Sequence, residues 1–210
     1  QDIKIEHSSN FNRYKTEKWV FSEANPTIRI KPVLPDKPVL TEFKSPVSVL
    51  AGEKICLFEQ IPAFIDISIK SDKKEIKLKQ LSIIPEHFTW LGDPLEGELC
   101  YHDTAEAVFN EKNVEYQPGA VISPIIINNQ SSQTYLLKQL VIRTEFLGIY
   151  QKNHQMCTNT MKIEYFGEDK DNPIEVLTAG DFVLLTAPRE DIRQQSRLIR
   201  RISNIRSLMS

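Results

Sequence analysis

The stretch Glu96-Gly97-Glu98-Leu99-Cys100-Tyr101-His102-Asp103 carries residue types on which chemistry could run. As a strand it sets Glu98, Cys100 and His102 on one face and Leu99, Tyr101 and Asp103 on the other. A carboxylate, a thiol and an imidazole on one face could bind a metal, with His154 and Cys157 completing a four-ligand set from a distant loop. The spacing speaks against it, since zinc sites leave roughly two to four residues between cysteines and Cys-x-His is not such a pair. Nucleophilic catalysis by Cys100 with His102 fails for another reason: side chains two apart on a strand run parallel and do not converge on one reacting atom. A packed Cys100 and an exposed His102 are therefore expected, with no metal and no cofactor. The chain has no Gly-x-Ser-x-Gly elbow, no Gly-rich phosphate loop and no His-Glu-x-x-His helix. Its seven glycines are few for a phosphate cradle, and an enzyme is the less expected class.

Two other places could meet a partner. In Glu86-His87-Phe88-Thr89-Trp90-Leu91-Gly92-Asp93 the aromatic residues, Trp90 above all, either form a ligand surface or plug the seam between two sheets; the plug is the expectation. The second place is the C-terminal end. From residue 189 to 210 there are six arginines against Glu190 and Asp191, a net +4 in a chain of formal charge -2, so the remainder carries -6. Leu198, Ile202, Ile205 and Met209 recur at four, three and four residues, and Arg193, Arg197, Arg200 and Arg201 fill other faces. Pro188 with Glu190 and Asp191 suits a helix start. A basic amphipathic helix is predicted over 188–210, its stripe most simply packed on the protein's own β-sheet, and otherwise available for self-association, for a protein partner or, less expected for want of an aromatic anchor, for an anionic membrane surface. Nucleic acid is not an expected partner, because the rest of the chain is acidic and no recognition motif is present.

The elements that would position these residues are short. Twelve prolines fall mostly between apolar runs rich in Val, Ile, Phe and Thr. Strands are predicted at Thr27–Val33, 47–50, 53–61, 64–69, 76–81, 120–127, 134–142, 147–150, 161–166, 174–177 and 182–186. In 64–69 the alternation sets Ile65, Ile67 and Ile69 inward and Asp66 and Ser68 outward. Asn128 to Ser132 reads as a hairpin-like connection between the runs on either side. It includes the sequon Asn129-Gln130-Ser131, read as turn chemistry and not as a glycan site. Pro85, Gly92, Pro94 and Gly97 cluster at a change of texture. The expected class is all-β and β-sandwich-like, in two β-rich halves (1–90 and 91–187) with the helix at 188–210.

Three widely spaced cysteines, Cys56, Cys100 and Cys157, make no disulfide framework and point to a reducing, cytoplasmic setting. No apolar run is long enough to span a bilayer. The chain opens on Gln1 with no charged-then-apolar leader, which reads as a mature or trimmed fragment.

Trp90-Leu91-Gly92-Asp93-Pro94-Leu95-Glu96-Gly97-Glu98-Leu99-Cys100-Tyr101 resembles the mid-chain signature of the prokaryotic family known as domain of unknown function number 432. Lys31-Pro32-Val33-Leu34-Pro35-Asp36-Lys37-Pro38-Val39 is similar to that family's proline-punctuated opening, and residues 123–150 to its second core segment. The three pieces are collinear across most of 28–185. Asn129-Gln130 departs from the pattern, which has an Arg or Lys near that turn. The resemblance implies a soluble, β-rich prokaryotic protein and assigns no activity. With that, the expected function is a non-enzymatic interaction or assembly module working through its C-terminal helix. The alternative is a ligand-binding, metal-binding or enzymatic site around Trp90, Glu98, Cys100 and His102.

Overall fold

The structure is a computed structural model that describes residues 6–11, 15–20, 26–70, 74–84, 86–93 and 95–190. Among them the regular structure is β with two single 3-10 turns, Glu111–Asn113 and Thr144–Phe146. The strands are β1 Glu6–Phe11, β2 Lys15–Val20, β3 Thr27–Val33, β4 Val39–Val49, β5 Lys54–Pro62, β6 Phe64–Lys70, β7 Glu75–Ser82 and β8 Phe88–Leu91. The second half adds β9 Glu98–Ala105, β10 Ala120–Asn129, β11 Tyr135–Ile142, β12 Ile149–Lys152, β13 Gln155–Thr158, β14 Met161–Tyr165, β15 Ile174–Val176 and β16 Val183–Thr186. The all-β class is thus as predicted. The predicted C-terminal helix, with Arg193, Arg197, Leu198, Arg200, Arg201, Ile202, Ile205 and Met209, lies outside the described residues. No described helix is long and apolar enough to cross a membrane.

The chain forms two compact units, neither continuous in sequence: Gln1–Lys31 with Asp66–Leu81, and Pro32–Ile65 with Ser82–Ser210. The first holds the antiparallel pair β1–β2 and most of the three-stranded sheet ordered β3-β6-β7. Here β6 departs from the alternation read from its sequence. Asp66 and Ser68 are buried along with Phe64 and Ile69, while Ile65 and Ile67 are half-buried. The polar side chains have partners that make burial tolerable: Ser68 Oγ donates to Glu75 Oε1 at 2.6 Å, and Lys77 Nζ lies 2.9 Å from Asp66.

The second unit is a sandwich. One sheet has four strands, β11-β4-β9-β8; the other has seven, β15-β14-β10-β13-β12-β16 with β5 added on β10. Both feed one core: Val39, Val49, Leu137 and Ile142 from the first sheet, and Leu57, Ile61, Val121, Ile125, Ile127, Ile149 and Met161 from the second. Such inward faces supply the hydrophobic stabilisation of a two-layer fold. Pairing is mixed, with β4–β9, β10–β13 and β10–β14 parallel and the other pairs in these two sheets antiparallel. The pairs β4–β9 and β5–β10 join residues from either side of position 90. In β4 the register against β11 shifts between Leu137 and Gln139, and this bulge takes up 43–46, including Pro46, which cannot donate to a ladder.

The hairpin expected between 120–127 and 134–142 does not form. β10 belongs to the seven-stranded sheet and β11 to the four-stranded one, so the turn is a corner between layers. Asn129 makes that corner. It is fully buried; its Nδ2 donates to Val49 O (2.9 Å) and Gln133 O (2.8 Å), and its Oδ1 accepts from Ser131 N and Ser131 Oγ. Its amide nitrogen is thus used twice inside the fold, as a turn-forming residue. The true short hairpin is β12–β13, whose two-residue turn places Asn153 (φ 48°) and His154 (φ 67°) in the left-handed region.

Candidate functional site

Glu98, Cys100 and His102 do lie on β9, yet each has an occupation of its own. Glu98 is gripped by Arg143: Nη1 donates to Oε1 at 2.8 Å and Nη2 lies 2.7 Å from Oε2. Arg143 is itself nearly buried, with Glu145 Oε1 3.7 Å away. Cys100 is fully buried and its thiol donates to Glu98 O at 3.6 Å. Burial first, and the Glu98 charge second, push that thiol up to about 11. It is a protonated packing group, with little of the thiolate a nucleophile or metal ligand needs. His102 is half-buried, its Nε2 3.4 Å from Glu42 Oε2. Intact protein should therefore show its Cys100 thiol reacting with a small alkylating reagent at least tenfold more slowly than after denaturation; mass-resolved peptide labelling checks this.

The wider metal set is not brought together. Cys100 and His102 stand on the four-stranded sheet, whereas His154 tips the β12–β13 turn and Cys157 sits in β13 of the other sheet. Among the described residues no three His, Cys, Asp or Glu are grouped to hold a metal ion. Around Cys157 there is a cleft of about 310 Å³ with Lys152, Thr158, Thr160, Thr178 and Phe182 in its wall. Lys152 is already bound to both carboxylate oxygens of Glu111, at 2.7 and 3.0 Å, and lies over the Phe182 ring. Burial raises the Cys157 thiol as well. The cleft thus offers hydroxyls and an internally neutralised ion pair, and no free charge.

Trp90 is where the structure departs most from expectation. Residues 88–91 form a strand, β8, at the edge of the four-stranded sheet, paired only with β9 among the described strands. Phe88 and Trp90 share the face on which Tyr101 and Leu99 lie in β9, and are 48% and 47% exposed. Phe88 leans on Tyr101 with ring centroids 5.0 Å apart; neither ring plugs a seam. Leu95, at 94%, is more open still, and Ile83 and Ile84 are exposed too. Glu86, Asp93 and Glu96 lie exposed in the same segment. Apolar edges of this kind are open to pairing with another chain.

The chain reaches the undescribed C-terminal segment from a fixed point. Arg189 donates through Nη1 to Leu34 O (3.0 Å) and through Nη2 to Pro35 O (2.7 Å), and its Nη2 lies 3.1 Å from Thr144 Oγ1. The backbone N–H groups of Arg189 and Glu190 both donate to Glu145 O. Glu145 neighbours Arg143, which holds Glu98, the residue paired with Leu91 at the end of β8. Sequence reasoning counted Arg189 within the basic helix at 188–210 and missed this anchor, because its partners are mostly backbone carbonyls that leave no side-chain signature.

It also missed Glu59. On β5 the residues Leu57, Glu59 and Ile61 alternate on the buried face, and Glu59 is 2% exposed with Oε1 lacking any hydrogen-bond partner. Burial, and then the Asp103 charge, raise its carboxyl to about 8. Its inward position could have been found from the Leu-x-Glu-x-Ile alternation alone.

The family model described as "Protein of unknown function (DUF432)" matches residues 1–200. No curated protein and no solved structure matches the chain. The chain belongs to that family.

Proposed function

We propose that this family member is a non-enzymatic assembly module, in which residues 191–210 of one copy cover the β8 edge of another. The exposed edge carries the reading: Phe88 and Trp90 stand half open beside Leu95 at the hydrogen-bonding border of a sheet. Leu198, Ile202, Ile205 and Met209 supply an apolar seam on the amphipathic helix that their spacing calls for, and Arg193, Arg197, Arg200 and Arg201 supply charge opposite to Glu86, Asp93 and Glu96. Twenty helical residues would reach about 30 Å, ample for a four-residue strand of roughly 13 Å. The competing site at 96–103 has less behind it, because Glu98 is committed to Arg143 and the Cys100 thiol is protonated.

Light scattering on the variant Ile202→Glu/Ile205→Glu tests the seam. The wild-type protein is expected to run at a multiple of its 24.2 kDa chain mass and the variant at one chain mass. A wild-type protein that is monomeric at about 100 μM, a concentration saturating for ordinary interfaces, sinks the reading. Loss of assembly in Phe88→Ser/Trp90→Ser as well would place the other half of the contact on β8.

A further inference from the structure

We propose that Glu59 is a reversible proton-binding site inside the sandwich unit, and that losing its proton loosens β5 from the interior. This is independent of assembly and rests on the position of one side chain. In β5 the buried face reads Leu57, Glu59, Ile61, so the register that seats the two aliphatic residues forces the carboxyl inward between them. Opposite it in the ladder is Ser123 of β10, fully buried, whose hydroxyl lies 3.1 Å from that of Thr158 on β13. The other sheet contributes Thr41 of β4, also buried, and Asp103 of β9, paired with Thr41. Of the groups facing Glu59 from these strands, Asp103 is the charged one acting on it, and the carboxyl has neither a cation nor a donor on Oε1 among the described residues.

Chemistry then selects the protonation state. An ionised carboxylate with no counter-charge and an unbonded oxygen is costly in such a place, and a second negative charge at Asp103 adds to the cost. The neutral acid is compatible with the apolar neighbours. Its folded-state pKa is raised from 4.5 to about 8, so the folded form holds a proton that the unfolded chain releases between those values. Stability from this group is complete below about pH 4.5, falls as pH rises toward 8, and levels off above. Across that interval the linkage is on the order of a thousandfold in the unfolding equilibrium.

Glu59→Gln keeps the shape of the neutral acid and cannot titrate. Urea unfolding of wild type and Glu59→Gln from pH 4.5 to 9.5 should give curves that agree at the acid end and diverge steadily. By pH 9 the wild type should be less stable by on the order of a thousandfold in its unfolding constant. Asp103→Asn should leave the onset of the divergence in place, end it at lower pH and make it smaller. Carbon-13 NMR of glutamate carboxyls in the wild-type protein needs no variant to fold: one carboxyl is expected to titrate near pH 8. Parallel unfolding profiles, or a full set of glutamate carboxyls titrating below about pH 6, overturn the proposal.

Discussion

Asn129→Asp is expected to lower folding stability by about 4 kcal/mol or more, enough to unfold much of the population of an ordinary domain. The substitution changes one atom group and almost no volume, so the loss reflects lost donors and an added charge and not a cavity. Asn129 Nδ2 donates to two carbonyls, Val49 O and Gln133 O, in a fully buried site. An aspartate there turns two donors into an acceptor facing two acceptors and brings an unpaired charge inside. The corner between β10 and β11 is built on these bonds, and the Ser131 bonds to Oδ1 cannot offset the loss. Asn129→Ala, which removes the partner without adding a charge, should cost less, roughly 2–3 kcal/mol. Urea midpoints of the two variants check both the size and the order; an Asn129→Ala midpoint equal to that of the wild type would mean that the amide donors are not what holds the corner.

Arg143→Ala is expected to cost about 3 kcal/mol. The guanidinium is nearly buried and stands between Glu98 and Glu145, and its removal leaves two carboxylates together with Arg189 the remaining cation acting on Glu145. Glu145 is already raised above the ordinary carboxylate range by burial, with Arg143 acting the other way. Without Arg143 its carboxyl should rise further. A raised carboxyl loses stability as pH climbs toward its folded value, so the variant should be hurt less at pH 5 than at pH 8. Glu98 is partly exposed, so water softens its share of the cost. Thermal midpoints at the two pH values test this; a variant equally destabilised at both would contradict the charge explanation.

How much of this was legible in the sequence depended on the range of the interaction. Strands such as β10 and β11 came through because runs of β-branched and apolar residues are written in adjacent positions. What lay between sheets did not. Asn128 to Ser132 has turn chemistry whether it closes a hairpin or rounds a corner, and only the partners of β10 and β11 decide, at separations local pattern does not encode. β6 misled because burial follows from partners: Lys77 and Glu75 from β7 make Asp66 and Ser68 acceptable inside. Short β8 was hidden among Pro and Gly, although Phe88 and Trp90 at a spacing of two carried the alternation.

The candidate surfaces divide in the same way. β9 was readable as a strand with Glu98, Cys100 and His102 on one face, but not the Arg143 that takes Glu98 from a position 45 residues on. The helix expected from Leu198 to Met209 lies outside the described residues, and the Arg189 anchor that precedes it was not legible. That point matters for experiment. Ending the chain at Pro188 would strip out Arg189 and its bonds to Leu34, Pro35 and Thr144, and any change could then be a folding effect.

The decisive measurement is accordingly the solution mass of the full chain beside a chain ended after Glu190, which keeps that anchor, each at matched concentration with its unfolding midpoint recorded. Assembly through 191–210 predicts a multiple of 24.2 kDa for the full chain, a single-chain mass for the shortened one, and a shortened chain that is still folded. A shortened chain that retains the full chain's oligomeric state contradicts it.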